Sequence, residues 1–357
     1  MKPKRPLFVL FFLIFLTRLN AADVNNNWKV INKVLPAVVD IDADLLFLMP
    51  MPHIETASGT GMFISKDGYV LTNAHLVTNM ITGEKSQKVQ VGTAVRDYFD
   101  ATIVGVDMVR DLALLKIKSK PNQTFNFVIF PDKDGPTLGA AVFKLGFPGT
   151  TTSENPSLSH GVVTNTRAFL GNNFMPFMST DALINKGDSG GPLFYAANGK
   201  VVGVDSNLKD GIGYFIPLKV IKKVLPMLYK GDVSTGWLGF WPDDCLSVKD
   251  LNRDDKLKKV ATEYLKEKRV KLPESDRGVV LMNAPGLTNT LTLLKLGDVI
   301  ISLDGKEPQD SRELIEMIAD SKPGNETKVL LIRDGIKTII NVKIGEYEKS
   351  VKMNWNY

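Results

Sequence analysis

Between residues 34 and 222 the sequence breaks into short apolar or alternating segments, each closed by Gly, Pro, Asn or Asp. TGMFIS, GYVLTNA, KVQVGTAV, ATIVGVD, LALLKI, AAVFKLGFP, GVVTN, GPLFY and KVVGVD follow one another in this way. Segments this short, with period-two or continuously apolar character, are strands, and many of them in succession predict an antiparallel barrel or sandwich. Helical periodicity is confined to 27–36 and to PLKVIKKVLPMLYKG, 217–231. Pro217 at the start and Gly231 at the stop predict a closing helix, which Pro226 should bend or shorten.

From Thr235 the texture changes. A short strand, GWLGF, precedes a charged stretch over 243–275, then strands GVVLMNA and DVIISLDG, a helix SRELIEMIAD, and strands KVLLIRDG and KTIINVKI. The helix shows a serine cap and a Leu314, Ile315, Ile318 face. A small α+β domain therefore begins near 234, and 357 residues are more than one core usually serves.

Composition excludes several classes. With 44% hydrophobic and 23% charged residues the chain packs rather than staying disordered. Its net charge of +5 comes from scattered lysines and a basic N-terminus, so no nucleic-acid partner is expected. Cys245 is the only cysteine, which rules out an intrachain disulfide and a cysteine zinc site. No metal or cofactor is expected. MKPKRP followed by the apolar run 7–17 has the layout of a secretory signal, with cleavage near Ala21 or Ala22. That run is shorter than the roughly 20 residues of a membrane-spanning helix. A mature protein in the periplasm or secreted is expected, with an anchored form as the alternative.

One stretch carries chemistry: INKGDSGGPLF, 184–194, places Ser189 after Gly187 and Asp188 and before two glycines. A serine hydroxyl attacks a carbonyl only when a base takes its proton, and the base needs an orienting carboxylate. Only three histidines exist. His75 follows an apolar strand in a short Ala-His turn, His53 lies in a Pro-flanked loop and His160 starts a strand. Asp111 directly precedes the apolar LALLKI, where a buried acid needs hydrogen-bond donors; Asp107 competes with it. The order His75, Asp111, Ser189 is that of chymotrypsin-type barrels, and the α/β-hydrolase and subtilisin orders differ.

Six ordered blocks, GTGMFISKDGYVLTNAHLV, DLALLKI, GFPG, TDALINKGDSGGPLF, GKVVGV and GIGYFIP, resemble the core of the HtrA (high-temperature-requirement) serine proteases across 57–218. The resemblance implies a mostly β chain, a trypsin-like double β-barrel followed by a small α+β PDZ domain. It implies Ser189 as nucleophile, His75 as general base and acid, and Asp111 as the residue that orients it. The turn Gly187, Asp188, Ser189 is the implied oxyanion hole, with the N–H groups of Gly187 and Ser189 as donors. Three positions depart from the family pattern: Asp188 stands where Asn is usual, Lys186 where Pro is, and Leu183 where a small Ala is. Asp188 resembles trypsin-like enzymes, yet it can pair with a freed N-terminus only if one is generated near the right place, so no zymogen logic is expected. Leu183, Ile184 and Ile212 are the expected pocket residues, favouring Val, Ala or another small aliphatic side chain before the cut.

GWLGF resembles the opening of a PDZ domain, and LKLGDVIISLDGK, SRELIEMI and KVLLIRDG its later blocks. Leu238, Gly239 and Phe240 are then the loop that receives hydrophobic C-terminal peptides, although TNTLTLL replaces the family's small-residue run. The expected borders are 1–22 for the signal, 23–56 for an N-terminal segment, 57–231 for the protease, 234–346 for the PDZ domain and 347–357 for a tail. The resemblance implies a secreted, ATP-independent endopeptidase that degrades unfolded or misfolded proteins through an acyl-enzyme, with the PDZ domain recruiting or regulating. It implies a trimer or multiples of one, assembled through VNNNWKVINKVLPAVV. Two alternatives are a chaperone or scaffold with little catalysis and a regulatory site-specific protease of an envelope stress pathway.

Overall fold

The computed structural model describes residues 28–47, 51–95, 97–133, 135–149, 156–170, 175–240, 242–269, 271, 274–283 and 293–347. The expected signal at 1–22, most of TNTLTLL and the 348–357 tail lie outside the described residues. Among the described residues no helix is long and apolar enough to cross a membrane.

A helix over 28–34 (α1) and a 3-10 turn at Leu35–Ala37 lead into the first barrel. Its strands are β1 (Val38–Phe47), β2 (His53–Phe63), β3 (Tyr69–Thr72), β4 (Val89–Thr93), β5 (Tyr98–Asp107) and β6 (Leu112–Ile117), with a short helix α2 (Ala74–Val77) after β3. They close antiparallel in the order β1-β2-β3-β6-β5-β4 around Val39, Ile41, Phe63, Val70, Val91 and Leu115. The second barrel takes β7 (Ala141–Gly146), β8 (Ser157–Ala168), β9 (Phe177–Thr180), β10 (Pro192–Tyr195), β11 (Val201–Lys209) and β12 (Ile212–Pro217) in the order β10-β11-β12-β9-β8-β7. Val142, Val163, Leu193, Val202 and Phe215 form its core. Closure leaves no open sheet edge, which is why many short strands suffice. The architecture is the double barrel that the sequence resemblance implies.

α3 (Leu218–Leu228) closes this unit and buries Leu218, Ile221, Val224 and Leu228, spaced for one helical face. Pro226 sits inside its last turn, and the helix ends at Leu228 rather than reaching Gly231. A proline there removes one donor and so shortens the helix, as expected. The carbonyl ends of α3 lie on β5: a Cβ at Gly105 would overlap the backbone oxygens of Leu228 and Gly231.

The chain divides into two compact units whose main boundary is Asp232/Val233, with Ala168–Phe177 grouped with the second. In the second, β14 (Cys245–Ser247), β15 (Val279–Leu281), β16 (Val299–Leu303), β17 (Glu326–Arg333) and β18 (Ile336–Lys343) form a five-stranded sheet, and β13 (Gly236–Trp237) pairs with β19 (Gly345–Glu346). GWLGF is thus a strand for two residues only, after which Leu238 and Phe240 turn their side chains inward. The charged 243–275 stretch, unassigned from sequence, holds α4 (Val248–Leu251) and α5 (Asp255–Glu267). Asp254 caps α5 by accepting from the N–H groups of Lys256 and Leu257, and Ala261 and Leu265 bury its apolar side. α6 (Ser311–Asp320) is capped not by a serine but by Asp310, whose carboxylate accepts from Glu313 N–H at 2.8 Å. Leu314, Ile315 and Ile318 form its buried face as expected.

A methyl group at Gly105 has backbone oxygens for neighbours and nowhere to go. Gly105→Ala should therefore lower stability by about 1–3 kcal/mol, read as a Tm several degrees lower in a thermal melt. An unchanged Tm would show that α3 is not seated on β5.

Candidate active site

β3 ends at Thr72, and the chain turns through Asn73 into α2, which carries His75 on its second residue. β5 and β6 are joined by a tight turn that Asp107 caps: its Oδ1 accepts from the N–H groups of Val109 (3.1 Å) and Arg110 (2.9 Å), and its Oδ2 pairs with the Arg110 guanidinium at 2.9 Å. Asp107 is fully buried, with both oxygens taken up by this turn, and is not free to meet a histidine. The capped turn leaves Asp111 at φ +54, a left-handed backbone that aspartate tolerates better than most side chains. Asn73 Nδ2 donates to the Asp111 carbonyl at 2.9 Å and ties the two turns together.

His75 Nδ1 lies 3.0 and 2.9 Å from the two Asp111 oxygens, and the His75 backbone N–H donates to Oδ1 at 3.0 Å. A carboxylate only accepts, so Nδ1 carries the proton on this side and Nε2 is the ring's other, basic nitrogen. The third donor is Ser206, whose Oγ lies 2.8 Å from Asp111 Oδ2. Ser206 is the extra residue of a β-bulge between Asp205 and Asn207, and the bulge turns its hydroxyl out of the β11–β12 ladder. Asp111, 2% exposed, therefore has three donors for a buried charge. The other histidines stand elsewhere: His53 is exposed on β2 against Met51 and Glu55, and His160 lies on β8 beside Phe143.

The Ser189 turn is held against the first barrel by Thr60. Thr60 N–H donates to the Ser189 carbonyl at 2.9 Å, and Thr60 Oγ1 donates to the Gly187 carbonyl at 2.7 Å while accepting from Phe147 N–H at 2.8 Å. A Cβ at Gly190 would overlap Thr60 O and Thr72 Oγ1 and lie 3.1 Å from Asn73 N, so the residue after the serine touches the segment that leads to His75. One at Gly59 would lie 2.7 Å from Leu76 Cδ2 and 3.0 Å from the Ser189 carbonyl. Gly187 has φ +95 and packs on Phe147, Pro148 and Gly149, a conformation and a space that only glycine meets. Among the described residues the N–H groups of Gly187 and Ser189 have no protein acceptor, whereas Asp188 N–H donates to Asn185 O at 3.0 Å. Beneath the turn, the fully buried Asp188 carboxylate meets the fully buried Lys144 ammonium.

Two family models match the chain, the trypsin-like peptidase domain over 59–204 and the PDZ domain over 274–344. A probable periplasmic serine endoprotease, DegP-like, of Pseudomonas fulva (strain 12-X) is 31% identical over 295 residues, 80% of this chain and 55% of its own length. Its counterpart in Rhizobium meliloti (strain 1021) is 30% identical over 308 residues, 83% and 55% of the two chains. The chain spans about half the length of these curated relatives. Among solved structures, the HtrA-type protease AlgW with a tripeptide is 26% identical with a TM-score of 0.68, over 90% of this chain and 97% of that one. The chain belongs to the HtrA family of serine proteases. The serine endoprotease of Yersinia pestis shares the fold, at 22% identity and a TM-score of 0.64 over 90% of this chain and 98% of that one.

Within this HtrA chain the expected pocket residues divide. Leu183 and Ile212 are exposed, whereas Ile184 is 3% exposed and packs its side chain over Gly213 of β12. Ile184 is therefore buried against β12 rather than open to solvent as Leu183 and Ile212 are. In the second unit Gly239 has φ +90 and is itself buried, between the buried side chains of Leu238 and Phe240. Cys245 is buried, and burial pushes its thiol up. Among the described residues no cluster of His, Cys, Asp or Glu could hold a metal.

Sequence reasoning missed four residues of the site: Thr60, Lys144, Asp205 and Ser206. Asp205 precedes Ser206 in β11 and is fully buried. Loss of water is the main cause that pushes its carboxyl up to about 8; the Lys144 charge opposes this and the Asp188 charge adds to it. In the unfolded chain the same group titrates near 4. Between about pH 4 and 8 the unfolded chain releases a proton that the folded chain keeps, so the folded state loses stability as pH rises through that window. Asp205→Asn should remove this loss. Melting of native and variant chains across pH 4–9 should show the Tm of the variant gaining on the native one up to about pH 8 and running parallel above it; parallel curves throughout would contradict the assignment.

Proposed function

We propose that this chain is an ATP-independent serine endopeptidase that cuts unfolded or misfolded polypeptide through an acyl-enzyme, outside the cytoplasm. The observation that carries the reading is the buried Asp111 carboxylate with its three donors, one of them His75 Nδ1, beside a serine turn that leaves two N–H groups unoccupied. Ser189 Oγ adds to the scissile carbonyl while His75 Nε2 takes its proton. The imidazolium that forms is stabilised by Asp111. The new oxyanion lies against the N–H groups of Gly187 and Ser189, the fixed dipoles whose interaction strengthens as charge develops. His75 then gives its proton to the leaving amine, and water repeats the sequence on the ester. No step consumes a nucleotide.

Leu183 and Ile212 over Ile184 favour Val, Ala or another small aliphatic side chain before the cut. The Leu238-Gly239-Phe240 loop receives hydrophobic C-terminal tails, a role that the peptides bound in the AlgW structures support as a ligand class. Recruitment through the second unit and assembly as a trimer or multiples complete the reading. The printed names of the DegP-like relatives support the periplasm.

Turnover of unfolded casein should disappear with Ser189→Ala, and Asp111→Asn should lower kcat by roughly 10³–10⁴ while leaving the fold intact, because the amide turns the ring into the wrong tautomer. Equal turnover of native chain and Ser189→Ala would favour a chaperone or scaffold that does not cut. A fluorescent peptide ending in Val should bind the full chain, and its C-terminally amidated form should bind at least about tenfold more weakly, since the loop donates to a carboxylate. Equal binding of the two would remove the loop's proposed role.

A further inference from the structure

Lys144 sits mid-strand in β7, paired with Leu193 of β10 on one side and Ser159 of β8 on the other, and it is 0% exposed. A lysine so placed loses all its hydration, a cost of several kcal/mol that only close pairing offsets. Its partner is Asp188 Oδ2, in a contact of charge on charge rather than an aligned hydrogen bond. The same oxygen accepts from Asn185 N–H at 2.5 Å, and Asp188 N–H returns a bond to Asn185 O at 3.0 Å. These bonds close the 185–188 turn that ends at Ser189. Gly146 has no room for a Cβ because Asp188 Oδ1 occupies the place, so the strand that supplies Lys144 also accommodates its partner. On the far side of Ser189, the Asp205 backbone grips Gly190 and Gly191, accepting from one and donating to the other at 2.8 Å each.

An apolar cluster would fill this volume at least as stably as a buried ion pair. Its placement under the two free N–H groups points to a use in the reaction.

We propose that Lys144 is a positioning residue for catalysis: its buried ammonium anchors Asp188, and through it the Asn185–Ser189 turn, so that the N–H groups of Gly187 and Ser189 face the developing oxyanion. The charge that holds the turn comes from the second barrel itself. No freed chain terminus is needed to supply it. This rests on Ser189 being the nucleophile.

The test uses the full chain with a peptide amide substrate, Lys144→Met, Asp188→Asn and the double variant. Each single change should lower kcat by about 100-fold, the loss of one oxyanion donor, with KM held within about threefold. A peptide boronate, which forms a tetrahedral adduct on the serine, should bind each single variant weaker by a like factor. Because both residues act through one pair, the double variant should be no worse than the poorer single. A folded single variant with kcat within about threefold of native, or losses that multiply in the double, would overturn the proposal. If Lys144→Met does not fold, Asp188→Asn against the double variant decides: equal or higher kcat in the double supports the pair, and a further loss overturns it. Ser189→Ala separates the two readings. A native enzyme that keeps its turnover in Ser189→Ala overturns nucleophile and positioning residue together, while a Ser189-dependent enzyme indifferent to Lys144 overturns Lys144 alone.

Discussion

Thr60 is where the two barrels are joined into one site. Its N–H and Oγ1 hold the carbonyls of Ser189 and Gly187, its own carbonyl accepts from Thr72 Oγ1 at 2.7 Å, and Phe147 N–H reaches its hydroxyl from the second barrel. Four hydrogen bonds on one residue thus register β2, β3 and the serine turn against each other. The histidine comes from the segment just after Thr72, so fixing Thr72 and the serine turn to one residue fixes His75 relative to the Ser189 backbone. In the other direction, Ser206 of the second barrel donates to Asp111 of the first. Each barrel completes what the other presents, and neither alone holds the constellation.

Four buried aspartates show how one side chain serves different ends according to its donors. Asp107 accepts from two backbone N–H groups and an arginine and is a turn cap. Asp111 accepts from His75 twice and from Ser206, and so orients an imidazole. Asp188 meets a lysine and closes a turn. Asp205 has no donor for either carboxyl oxygen among the described residues, and burial accordingly pushes its proton affinity up. A charge remains where donors or a cation compensate for lost water, and is given up where they do not.

Much of this was legible in the residues. Short strands closed by turn residues pointed to an antiparallel barrel or sandwich, and the structure closes them into two barrels. Three histidines and the order of histidine, aspartate and serine narrowed the triad, and the structure separates Asp111 from Asp107 through the donors each receives. What was illegible depends on contacts between distant strands. Lys144 reads in AVFKLG as an outward-facing polar residue, and only barrel closure turns it toward Asp188. Ser206 reads as an ordinary strand serine, since a bulge has no marker in a single sequence. α5 hid behind its charge: Leu257, Ala261 and Leu265 were an apolar stripe outnumbered by lysines and acids. Asp310 was overlooked as a cap because the neighbouring Ser311 is an equally good one by type.

Mass spectrometry of the native chain after reaction with a fluorophosphonate tests the central claim most directly, because the probe modifies only a serine whose proton a base has taken. The account predicts one adduct per chain, on the peptide that contains Ser189, and none after His75→Ala. An adduct on another residue, or labelling of Ser189 that persists without His75, would contradict it.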